Sequence, residues 1–136
     1  MAVMNNNLDE LKVIAEEIAD INGLLLETYD QKEPTEILEI MTALKSYLAR
    51  TTELYAKAEY LLNIERGIES QNIDPKTSAT IYRDIINSRT AQYQKVFRFV
   101  ERTNASIVHI LDVLRSQLSY HKADMTANNY GGKEAK

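Results

Sequence analysis

Residues 34–62, PTEILEIMTALKSYLARTTELYAKAEYLL, decide the fold. Apolar side chains recur at Ile37, Met41, Leu44, Leu48, Thr51, Tyr55, Ala58 and Leu62, spaced alternately by three and four. A second stripe runs beside it through Ile40, Tyr47, Leu54 and Leu61. That alternation is the seam of packed helices, and two adjacent stripes are wider than a two-stranded seam requires. Pro34 suits the first turn, where its missing N–H costs nothing, and Gly67 is the expected stop. At about 1.5 Å per residue such a helix is a rod of roughly 50 Å.

Working outward, the segment before it reads as a helix from Leu8 to Tyr29. Leu8, Leu11, Ile14, Ala15, Ile18, Ile21 and Leu25 share one face, and Asp9, Glu10, Glu16, Glu17 and Asp20 share the other. Asn7 is the expected cap, with Glu10 completing the pair. Asn22-Gly23 is a weak point, and Asp30-Gln31-Lys32-Glu33 makes the turn. After the long helix, Asp74-Pro75 restarts the chain. A helix from there to Met125 would carry the stripe Val96, Val100, Thr103, Ile107, Ile110, Leu114 and Leu118, with a kink or break at Asn87-Ser88-Arg89-Thr90. The expected organisation is a flexible start over 1–7, one helical domain over 8–125 and a disordered tail over 126–136. The fold class is all-α, two or three long amphipathic helices in an elongated bundle completed by oligomerisation. Leu44, Leu48, Ile107, Ile110 and Leu114 are the residues expected at a subunit interface.

Composition narrows the function. The 136 residues contain no cysteine, which excludes disulfides, a thiol nucleophile and thiolate metal sites. No apolar run approaches the roughly 18 residues of a membrane span, and the start is not patterned as a signal peptide, so a cytoplasmic location is expected. Neither histidine has a glutamate three residues before it, so the Glu-x-x-His of di-iron bundles is absent. Four scattered glycines build no phosphate loop. Asn104-Ala105-Ser106 matches a glycosylation sequon but falls within a helix. His109 and Asp112 are three apart, with Ser106 and Ser116 nearby; a surface ion pair is the simpler account of that set than a catalytic one. No enzyme activity, cofactor or metal is expected.

Charge is distributed unevenly. Residues 1–74 carry a net −9 and residues 89–122 a net +4 in a chain whose total is −4. The simplest account is acidic helices packed beside a basic one. The alternative is a nucleic-acid surface: Lys95, Arg98, Arg102, Arg115 and Lys122 could follow a phosphate backbone, with Tyr93, Phe97, Phe99 and Tyr120 interleaved among them.

The run Val100-Glu101-Arg102-Thr103-Asn104, Ile107 to His109, and Leu111-Asp112-Val113-Leu114-Arg115-Ser116 resembles the last helix of small phage-encoded helical proteins that look like distant cousins of UvsY-type recombination mediators. Tyr47-Leu48-Ala49-Arg50-Thr51 and Ala56-Lys57-Ala58-Glu59 are similar to the long central helix of that group. The family's Leu-Asp-x-aliphatic-basic-Ser run is matched by Leu111, Asp112, Leu114, Arg115 and Ser116. Gly67-Ile68-Glu69 stands where the family has a tyrosine-glycine segment, and this chain is acidic. The resemblance implies a ring-forming protein of the host-cell cytoplasm that binds single-stranded DNA and helps load a recombinase over a single-strand-binding protein. The other reading is a helical assembly or adaptor protein, a packaging component or an inhibitor of a host protein, acting through protein contacts alone.

Overall fold

The computed structural model describes the backbone of residues 2–25 and 33–134, and the side chains of 6–25 and 33–127. Four helices follow one another: α1 Ala2–Leu25, α2 Pro34–Ser70, α3 Ala79–Arg89 and α4 Ala91–Glu134. No strand occurs among the described residues, so the chain is all-α as its periodicity requires. The expected end of the first helix at Tyr29 and the turn Asp30-Gln31-Lys32 lie outside the described residues.

The long helices form an up-down-up bundle. Glu17 of α1 pairs with Arg50 of α2 while Glu10 lies beside Lys57 and Leu61, and Thr51 of α2 pairs with Asn104 of α4 while Tyr55 meets Phe97, so neighbours in the chain run antiparallel. Ala15 and Ile18 lie beside Val96 and Phe99, while Asn22 and Leu25 lie beside Ser106 and Ile110, so α1 and α4 run parallel. The core takes Leu11, Ile14, Ile18, Ile21 and Leu25 from α1. It takes the seam from Ile37 to Leu62 from α2, and Tyr93, Val100, Ile107, Leu111 and Leu114 from α4. The two stripes of α2 now have separate duties: Tyr55 packs at a tilt against Phe97 of α4, ring centroids 4.9 Å apart, and Leu54 and Leu61 line the cleft shared with Ile14 of α1.

The residues expected at a subunit interface pack within the single chain. Leu44, Ile107 and Leu114 are fully buried within the single chain, and Leu48 and Ile110 pack against the same core. The stripes were too wide for two helices, and α1 supplies the third wall.

The helix ends also differ from the sequence reading. Helix α1 begins at Ala2, so Asn7 lies inside it, buried, with no partner for Nδ2. Helix α2 runs through Gly67 to Ser70 without a left-handed residue. Asp74 caps a turn instead of a helix, accepting from the Lys76 N–H at 2.9 Å. The cap of α3 is Ser78, whose hydroxyl accepts from Ile81 N–H. The bend foreseen at Asn87–Thr90 sits at Thr90, which is fully buried and donates its hydroxyl to the Ile86 carbonyl at 2.7 Å. Such back-bonding bends helices. The main-chain bonds from Thr90 N–H to Ile86 and from Gln94 N–H to Thr90 are kept, while Ala91, Gln92 and Tyr93 do not bond back to Asn87, Ser88 and Arg89, so the helical ladder breaks at this residue. At the far end α4 continues past Met125 to Glu134, where a tail without regular structure was expected.

Candidate nucleic-acid interface

Helix α4 turns about 100° per residue, so side chains three, four and seven apart share a face. Lys95, Arg98 and Arg102 meet that condition, and all three are exposed on the side of α4 turned from the core residues Val100, Ile107 and Leu111. None has a carboxylate partner among the described residues. The cations that do have partners lie elsewhere. Arg50 grips Glu17 with two guanidinium nitrogens and Glu53 with a third, at 2.8 Å, which holds the Glu17 carboxyl below its ordinary range. Arg89 reaches Glu69 at 3.4 Å, and Arg115 reaches Asp112 at 3.0 Å. The acid-rich amino-terminal half therefore does not neutralise Lys95, Arg98 and Arg102 through ion pairs among the described residues.

The five cations singled out in the sequence do not form one surface. Arg115 is 13 residues beyond Arg102, a rotation of about 220°, and it is tied to Asp112. Lys122 shares the flank of Arg115, seven residues on, in the largely exposed terminal part of α4. One cation from another helix joins the first group instead. Arg66 of α2 lines the same cleft as Arg98, together with Glu59, Asn63 and Gln94. It was not visible as a candidate from the sequence. Arg66 follows Leu62 by four, but only the packing shows which helix its flank faces.

The interleaved aromatics divide in the same way. Tyr93 is buried and Phe97 is covered by Tyr55, so both belong to the core. Phe99 is 39% exposed and Tyr120 70% exposed, the latter edge-on to His121.

The His109–Asp112 pair does not form. Asp112 accepts from Arg115, and His109 is exposed at a groove lined by Asn22, Leu25, Ser106 and Ile110. Among the described residues no group of three or more His, Cys, Asp or Glu is placed to hold a metal ion. No described helix is long and apolar enough to cross a membrane. The clefts between the helices are open grooves of about 250 to 450 Å³.

No family model, characterised protein or solved structure matches this chain.

Proposed function

We propose that this protein is a non-catalytic accessory factor of DNA recombination or replication that holds single-stranded DNA on the outer face of α4. The observation that carries the reading is the exposed set Lys95, Arg98 and Arg102, free of ion pairs among the described residues in a chain that is acidic overall. Exposed, unpaired cations keep the counterion atmosphere that a phosphate backbone displaces, and they position a strand without reading its bases. The resemblance to recombination mediators supports the same direction: a homo-oligomer in the cytoplasm of a phage-bearing host, helping a recombinase replace a single-strand-binding protein. Repeating a weak site around a ring raises avidity without new contacts.

The test is a fluorescence-anisotropy titration of an oligothymidine strand at low salt. Wild type should bind, with log affinity falling linearly as log salt rises. Arg98→Glu/Arg102→Glu should lose at least about tenfold in affinity, because two attractions become repulsions. Binding by the double variant equal to wild type would remove the α4 face from consideration.

A second reading, a helical adaptor acting through protein contacts, is favoured by Val113 and Tyr120, seven residues apart on one face of α4 and both exposed. Exposed apolar side chains along one helix suit a protein partner. A protein with no affinity for the strand at any salt concentration would favour this reading.

A further inference from the structure

We infer that Phe99 is a stacking platform for one nucleobase of the strand, with Lys95 and Arg102 holding the phosphates on either side. The inference rests on the single-strand reading above and adds a chemical role that charge alone does not supply. Of the four aromatic rings interleaved with the cations, two are spent in the core. Tyr120 lies edge-on to His121, 18 residues beyond Arg102 and so about 27 Å further along α4 than the cationic group. Phe99 is the ring that meets the cationic group: Lys95 is four residues before it, Arg98 adjacent and Arg102 three after, so cations bracket it along the helix axis.

The opposite wall explains why the ring stays open. Helix α1 presents Ala15 at this level, and Ala19 one turn on, side chains too short to cover a phenyl group. The result is a cleft of about 280 Å³ between α1 and α4, lined by Ala15 and Ile18 on one side and by Gln92, Lys95, Val96 and Phe99 on the other. Pockets that enclose drug-sized ligands are roughly 300–1,000 Å³ and concave, so this open slot suits one planar ring sliding in from the side. Apolar walls and an aromatic rim favour a π-face, and the Gln92 amide can donate to or accept from whatever base edge arrives. The carboxylates next in sequence, Glu16 and Glu101, are exposed and pair with none of these cations. Charge complementarity therefore selects a polyanion carrying planar rings.

The chain contains no tryptophan, so Phe99→Trp introduces a single indole at the rim as a reporter. The experiment compares an oligothymidine strand with an abasic strand of equal length and charge, using wild type, Phe99→Trp and Phe99→Ala. Circular dichroism confirms that each variant is as helical as wild type. Stacking on an aromatic side chain is worth about 1–3 kcal/mol per base, so wild type should prefer the thymidine strand by about fivefold or more. Phe99→Ala should bind both strands at the abasic level with an unchanged salt slope. The indole emission of Phe99→Trp should be quenched by the thymidine strand alone. Equal, salt-dependent binding of both strands by wild type, with unaltered indole emission, would overturn the platform and leave the single-strand reading standing. No binding of either strand at low salt would overturn both.

Discussion

Two polar layers interrupt the seam between α2 and α4, and the chain treats them differently. Midway along, the Asn104 amide donates to the Thr51 hydroxyl at 2.8 Å and to Thr52 at 3.2 Å, and both threonines donate onward to the Leu48 carbonyl. Every hydroxyl there donates and accepts. Two heptads further along α2, near the bend at Thr90, Glu65 occupies the next seam position beside Tyr93. It is 5% exposed and its Oε2 has no partner. Burial pushes this carboxyl above its ordinary range, the nearby Glu69 charge pushes the same way, and a hydrogen bond from Tyr93 offsets part of the effect. The satisfied layer fixes the register of two long antiparallel helices, since sliding either by one turn would strand the amide against leucine. The half-satisfied layer is a cost retained near the bend. Polarity in a seam is thus tolerable or expensive according to whether its partners are complete, and not according to depth alone.

The harshest way to break the comparison is to place a charge where no partner exists at all. Ile107, fully buried one turn beyond Asn104, is such a position. Ile107→Asp should cost about 4 kcal/mol or more, enough to unfold a marginal domain, and the loss of the cooperative thermal transition by circular dichroism is the readout. Asn104→Leu dismantles the satisfied layer by removing its donor while filling the space. It should destabilise by about 1–2 kcal/mol in urea unfolding, with the hydroxyl–carbonyl bonds to Leu48 limiting the damage.

Glu65→Gln sharpens the comparison from the other side, and its sign is opposite. A carboxyl whose folded value is raised binds protons more tightly when folded, so its contribution to stability falls as pH rises through that value. Wild type therefore carries a penalty at neutral pH that the amide lacks. The variant should be more stable than wild type by about 1 kcal/mol at pH 7, and the gap should close as the pH drops below the ordinary carboxylate range. A gap that stays constant with pH would mean that Glu65 is not the source. The smallest effect belongs to Gly67, helical, exposed and with nothing within 4 Å of an added Cβ. Gly67→Ala should raise stability by about 0.5–1 kcal/mol, read as a shift in the urea midpoint at constant slope.

Much of this architecture was legible because apolar spacing reports directly on helices. The seam from Ile37 to Leu62 and the stripe from Val96 to Leu118 hold as read, and the break near Thr90 was visible as a polar run. What escaped notice had no apolar marker. Glu65 falls three after Leu62, in phase with the seam, yet a charged residue there reads as the end of the stripe. Asn7 looks like a cap because caps and helix interiors use the same amide; only the helix starting at Ala2 places it inside. Of the candidate site, the alignment of Lys95, Arg98 and Arg102 was readable from spacing. The separation of Arg115 from them was readable from the same spacing, whereas the membership of Arg66 depends on which flank meets which helix. Periodicity along one helix does not carry that information.

The bend at Thr90 divides the molecule in time as well as in space. Helix α3 buries one side chain, Ile86, whereas α4 immediately beyond buries Tyr93, Val100, Thr103, Ile107, Leu111 and Leu114. Opening α3 exposes little apolar surface, so its amide protons should exchange with solvent by a local fluctuation, those of α4 between Val100 and Leu114 only when the whole bundle opens. Hydrogen-exchange protection should therefore step upward across a single threonine, making the eleven residues of α3 a separate, faster unit at the end of a slow rod.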